Sequence, residues 1–211
     1  MGVEMRWFFK GPLPANVSAW FGSLGEFLPQ LEQRTDLYLA TREDLGVKLR
    51  EGRLEIKWRR GPGHPMTISA RVQGSAEYWD KWSWKDLQGK AEAQIADLLR
   101  ESPDDPWIRV PKERHQRKYD LAVDGLQPIL LKPRCERGVI LEVTKLRFRG
   151  RPWWTVALDL LGKAKKADEG LKEAKEVFVR LLQSLFEKYP GPPLRLENSF
   201  GYPKFVLARE G

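Results

Sequence analysis

The chain has 211 residues, with 37 Lys plus Arg against 29 Asp plus Glu and a formal net charge of +8. At 41% apolar it has the residues for a core, which excludes a disordered basic tail and places the excess charge on a folded surface or in a lined cavity. A single cysteine, Cys135, excludes a disulfide framework or a multi-thiolate zinc site, and His64 and His115 lack acidic partners at helical spacing. No apolar run approaches the roughly 20 residues of a membrane span, and Glu4, Arg6 and Lys10 make the first ten residues unlike a secretory signal. The expectation is a soluble, cytoplasmic, basic protein with one domain over 1–211 and no membrane partner.

Alternation of apolar and charged residues predicts a first strand over Val3 to Phe8, with Glu4 and Arg6 on one face. A short helix is expected around Val17 to Phe27, interrupted by two glycines. Gly46 to Lys57 reads as a hairpin turning at Glu51-Gly52. In it Lys48 and Arg50 share one face, and Val47, Leu49, Ile56 and Trp58 are expected to pack outward beneath helices. Lys85 to Arg100 has helical spacing of apolar residues. Strands follow at Trp107 to Val110 running into Lys112 and Arg114, then Ile129 to Arg134, Val139 to Arg147 and Trp153 to Leu160. A long amphipathic helix is predicted over Lys165 to Tyr189, and Tyr202 to Leu207 as a final strand. Strands joined by hairpin-length turns point to an antiparallel α+β fold.

The unusual feature is the recurrence of cation-x-cation: Lys48 and Arg50, Lys57 and Arg59, Lys112 and Arg114, Lys132 and Arg134. Period 2 puts each pair on one strand face. In a closed barrel with those faces inward, the lumen is lined with cations that repel one another until a polyanion is present, phosphate being the natural partner of Arg forks and Lys point charges. The alternative is an ordinary solvated sheet face.

In order along the chain, Gly2-Val3-Glu4-Met5-Arg6-Trp7, Arg34-Thr35-Asp36-Leu37-Tyr38-Leu39, Lys48-Leu49-Arg50 with Leu54-Glu55-Ile56-Lys57, Lys112-Glu113-Arg114, Val139 to Thr144, Thr155 to Asp159 and Ser199-Phe200-Gly201-Tyr202-Pro203 resemble the motifs of the CYTH-type, or triphosphate tunnel, family. The resemblance implies a closed antiparallel β-barrel tunnel with helices packed outside. It implies that Arg6, Lys48, Arg50, Lys57, Arg59, Lys112 and Arg114 grip a triphosphate-containing or other polyanionic small molecule. It further implies that Mg²⁺ or Mn²⁺ is held by Glu4, Glu142 and Asp159, with Glu4 and Asp159 the catalytic pair. Carboxylates are the natural ligands of such a hard ion, which polarises the scissile phosphoryl group.

Departures matter as much. The first glutamate position of the opening motif is Gly2, the lysine position is Arg6, and the late Glu-x-Glu position holds Ala157 and Asp159. Metal-dependent triphosphate hydrolysis, polyanion binding without turnover, and a basic nucleic-acid-binding surface all remain open. For the last, Trp79, Trp82 and Trp84 beside Lys81 and Lys85, and Trp153-Trp154 after Arg149 and Arg151, are the aromatic and cationic pairings that clamp single strands, although such residues also build cores and barrel plugs.

Overall fold

A computed structural model describes residues 2–25, 27–84, 107–121, 127–131, 138–161 and 167–208. Ten strands form one sheet: β1 (Gly2–Lys10), β2 (Gln30–Arg42), β3 (Leu45–Arg50), β4 (Arg53–Arg59), β5 (His64–Ser69), β6 (Val72–Trp84), β7 (Trp107–Asp120), β8 (Gln127–Ile129), β9 (Gly138–Phe148) and β10 (Arg151–Leu161). Eight of them run β1-β10-β9-β7-β2-β3-β4-β6, and β6 pairs again with β1, so the barrel closes. These pairings are antiparallel; β5 adds to β6, and β8 to β7, at the margins.

Local chemistry explains the closure. The β3–β4 turn has Glu51 and Gly52 at φ of 46° and 70°, and the β9–β10 turn has Arg149 and Gly150 at 49° and 77°. Two consecutive left-handed residues make the two-residue turn whose twist matches paired strands. The Lys48↔Glu55 and Leu49↔Leu54 register then follows as the sequence pattern predicts.

Strand parity separates two environments. The outward residues Val3, Met5, Trp7, Val139, Leu141, Val143, Val156 and Leu158 are buried beneath α1 (Ala15–Ser23) and α2 (Ala167–Phe186). Val177, Phe178 and Phe186 are the buried residues described on α2, as its apolar spacing predicts. Trp7 threads past β6 at Gly74, where an added Cβ would lie 2.6 Å from the indole, and its Nε1 donates to the Gln73 carbonyl at 2.7 Å. The helix expected over Val17 to Phe27 ends at Ser23, and Gly25 follows with φ of 86°. Arg117 of β7 donates to the exposed carbonyls of Phe21, Gly22 and Phe27, satisfying that helix end.

Three expectations need correction. Tyr202–Leu207 is not a strand but a one-turn helix, α3, with proline in its first turn. Proline's fixed φ suits that position, and adjacent Phe205 and Val206 are both buried, which a two-sided strand at this end would not permit. The outer face of β3–β4 is not roofed by α1 or α2: Leu49 is buried, Val47 and Ile56 are half-buried, and Trp58 is exposed under the Arg60 guanidinium. The Pro/Gly-rich stretch Gly61 to Pro65 has the composition of a connection, yet it runs into β5 at His64, and β5 and β6 went unpredicted. The helix expected over Lys85 to Arg100, the pair Lys132 and Arg134, and Cys135 lie outside the described residues.

Candidate functional site

The lumen is floored by aromatic residues. The segment before α3 runs beside β1, bridging Ser199 to Trp7 and bonding Phe200 N to the Arg6 carbonyl at 3.0 Å. It delivers α3 into one end of the barrel, where Phe205 stacks on Phe8 at 4.3 Å and packs on Phe148 and Trp153. Gly46 and Gly201 permit this approach, since an added Cβ would lie 2.9 Å from Pro203 and 2.7 Å from Glu77 respectively. Above the plug a space of about 40 Å³ lies among Glu4, Tyr38, Lys48, Lys57, Trp79 and Tyr202, enough for one or two waters.

Beyond the plug, the inward residues are charged. The sequence-predicted cations do converge: Arg6 on β1, Lys48 and Arg50 on β3, Lys57 and Arg59 on β4, and Lys112 and Arg114 on β7 all make ion pairs with carboxylates inside the barrel. Four further carboxylates interleave with them, of which strand parity along the β3–β4 hairpin had placed Glu55 inward. Asp36 and Glu32 come from β2, Glu55 from β4 and Glu77 from β6. The sign was present in Glu32-x-Arg34-x-Asp36-x-Tyr38, a period-2 run with both charges on one face. Arg34 and Lys81 were likewise missed as lumen cations.

Charge is unevenly shared. Asp36, fully buried, has Lys112 Nζ at 3.0 Å, Arg50 Nε at 2.9 Å, Arg34 Nε at 3.3 Å and Lys48 Nζ at 3.7 Å. Glu55 adds one further carboxylate, 3.0 Å from Lys48 and 3.5 Å from Arg50. Arg34 also donates to both oxygens of Glu32, at 2.8 and 2.9 Å, so four cations face three carboxylates, and Glu32 is shared with Arg114. Burial pulls the Lys48 amine down to about 7 despite Asp36, with Arg50 adding repulsion. Burial likewise holds Lys112 well below its ordinary value. Lys112 is sandwiched by Tyr202 and Tyr38, 3.5 and 4.6 Å from their ring centres, and donates to the Tyr38 hydroxyl at 2.6 Å. The Asp36 carboxyl is far below the usual range because these cations outweigh its burial.

The opposite wall is built around Arg6. Its Nε donates to Glu4 Oε1 at 2.6 Å, and its Nη1 to Glu142 Oε1 at 2.9 Å and Thr155 Oγ1 at 3.0 Å. Glu142 also accepts from Thr144 at 2.7 Å, from Gln116 at 3.1 Å and from Arg114. Asp159 stands beside Glu4 in register on the neighbouring strand β10, not across the tunnel from it. Burial and the Glu4 charge push Asp159 up to about 6 against the pull of Lys57. Glu4 goes the other way, to about 2, since Arg6 and Lys57 outweigh its burial.

A divalent ion on this wall would have to be held by Glu4, Glu142 and Asp159. A hard cation needs carboxylate oxygens with lone pairs free to turn inward. Here a guanidinium lies between Glu4 and Glu142, and Glu142 accepts from four side chains. Among the described residues no three Asp, Glu, His or Cys form a metal-ligand group. The arrangement does not fit Mg²⁺ or Mn²⁺.

Other singled-out residues have ordinary settings. Trp79 is buried in the barrel while Trp82 and Trp84 are exposed on β6, and Trp153 packs on the plug. His115 bonds Glu113 at 2.9 Å. Among the described residues no helix is long and apolar enough to cross a membrane.

No family model matches the chain, and no curated protein matches it. Among solved structures it is similar to a conserved hypothetical protein from Pyrococcus furiosus, with TM-score 0.50 and 13% identity over 95% of this chain and 98% of that one. A protein from Bacillus halodurans described as a candidate adenylate cyclase is matched at TM-score 0.34 and 11% identity, over 90% of this chain and 95% of that one. At these identities the likeness concerns the fold alone: a closed antiparallel eight-stranded barrel.

Proposed function

We propose that the lumen binds a polyanion of the phosphate-chain class, such as triphosphate, whose negative charge its cations suit. The observation that carries this reading is the crowding of Arg34, Lys48, Arg50 and Lys112 around Asp36. Desolvated like charges are costly, and an incoming polyanion relieves that cost while its oxygens receive Arg and Lys donors. Lys57 and Lys81, more exposed, extend the same charge along β4 and β6. The CYTH-like ordering of motifs supports the same ligand class. Tripolyphosphate titrated calorimetrically into the protein is the test: saturable binding that Arg50→Ala weakens at least tenfold supports the reading. Heat indistinguishable from chloride at equal ionic strength sinks it.

Hydrolysis of the bound chain is the second reading. Its support is the Glu4–Asp159 pair, two neighbouring carboxyls with opposite shifts, the pattern of an acid beside an ionised partner. Phosphate release from tripolyphosphate that Asp159→Asn abolishes would establish it, and release no faster than the Asp159→Asn blank would leave a binder.

A further inference from the structure

We infer that Arg6 is a resident cation in the acidic wall, standing where a divalent ion would otherwise bridge Glu4 and Glu142, so that the lumen takes up its polyanion without a metal. The inference rests on the polyanion reading for its second half only. Its first half is geometric. Glu4 lies on β1 and Glu142 on β9, with β10 between them, so a bridging group must reach across a whole strand. The Arg6 guanidinium does so, with Nε on one carboxylate, Nη1 on the other, and Thr155 of the intervening β10 accepting from the same Nη1. Its face rests against Tyr202, 4.8 Å from the ring centre.

Every feature of this setting favours a fixed organic cation over an exchangeable ion. The guanidinium is delocalised, weakly hydrated and always charged, which suits a buried bridge between carboxylates. Arg6 is 6% exposed, and its carboxylate partners raise its proton affinity further despite burial. Arg114 neutralises the far oxygen of Glu142. With Arg6, Arg114 and Lys57 against Glu4, Glu142 and Asp159 the wall is already balanced, and a divalent ion would add two charges beside Lys57, 3.4 Å from Glu4. An ion could enter only by breaking charge-assisted hydrogen bonds on both carboxylates. The same logic predicts what removal of the guanidinium exposes: two buried carboxylates, with Asp159 beside one of them, needing a replacement cation.

Mn²⁺ titration followed by electron paramagnetic resonance tests the first half without any phosphate ligand. Wild type should show no saturable site tighter than about 1 mM that Glu4→Gln removes, whereas Arg6→Ala should gain one that Glu142→Gln in the same background abolishes. A tight Mn²⁺ site in wild type that Glu4→Gln removes overturns the inference. A folded Arg6→Ala without any new site also overturns it. If Arg6→Ala does not fold, the wild-type and Glu4→Gln titrations decide. The second half is read from tripolyphosphate affinity in EDTA and in Mg²⁺, corrected for the Mg²⁺–tripolyphosphate complex. Equal affinity supports it, and binding only with Mg²⁺ overturns it. An absence of tripolyphosphate binding in both conditions would count against the polyanion reading, while the Mn²⁺ titrations would still judge Arg6.

Discussion

Asp36 is one carboxylate among four cations, whereas Arg6 is one cation between two carboxylates, and both project into the same lumen from strands a few positions apart around the barrel. Tyr202 of the plug separates them, with Arg6 and Lys112 both against its ring. One wall is charge-balanced and saturated with hydrogen bonds, and the other carries a surplus that burial turns into depressed lysines. The net charge of +8 did not foretell this difference. The proposed binding rests on that local imbalance, since a cation that has its own carboxylate offers little to an incoming anion.

The largest expected effect comes from deepening the imbalance. Asp36→Asn removes the charge that four cations share and leaves them buried without it, which should cost about 3–5 kcal/mol of stability. Thermal unfolding should show that loss, and tripolyphosphate should restore more of it than chloride does. An unchanged unfolding temperature would mean that the four cations are not confined as described. Next, Lys48→Met relieves the crowding. Because the folded amine sits near 7, below its unfolded value, this lysine withholds stability at neutral pH and returns it as pH rises toward 10. The variant should therefore be more stable than wild type by roughly 1 kcal/mol or more at pH 7, and bind tripolyphosphate more weakly. Greater stability with undiminished binding would separate the surplus charge from the binding site.

How much of this was legible varied by interaction range. Alternation along β1, β3, β4, β7, β9 and β10 and the Glu51-Gly52 turn gave the strands and the inward placement of Arg6, Lys48, Arg50 and Lys57, because parity and turn chemistry are local. Cross-barrel partners are not local. Arg6 meets Glu142 across 136 residues and Lys112 meets Asp36 across 76, so a lumen read strand by strand did not match its cations to their carboxylates. Glu4 and Asp159 do stand side by side on β1 and β10, but the arginine bonded to Glu4 and Glu142 lies two residues from Glu4 and looked like a phosphate ligand. The plug was hidden because apolar Phe205-Val206 after Tyr202-Pro203 suits a strand as well as a turn of helix.

A smaller effect sharpens the comparison through pH. Anion binding raises the proton affinity of Lys48, so complex formation takes up a proton once the free amine has lost it. Affinity should be flat below pH 7 and fall above it by less than about tenfold per unit, and Lys48→Arg should flatten the fall. A flat wild-type profile from pH 6 to 9 would remove Lys48 from the site. On the balanced wall, Glu4→Gln should change tripolyphosphate affinity least, leaving it equal or slightly tighter, since one negative charge leaves the lumen.

The most direct measurement is calorimetric titration of tripolyphosphate in EDTA at pH 8, in two buffers of different ionisation enthalpy, for wild type and Lys48→Met. The two-wall account predicts one saturable site in wild type with net proton uptake, and weaker binding with smaller uptake in Lys48→Met, where Lys112 alone supplies the remainder. Binding that needs a divalent ion, or binding whose strength and proton uptake are the same in both proteins, would contradict it.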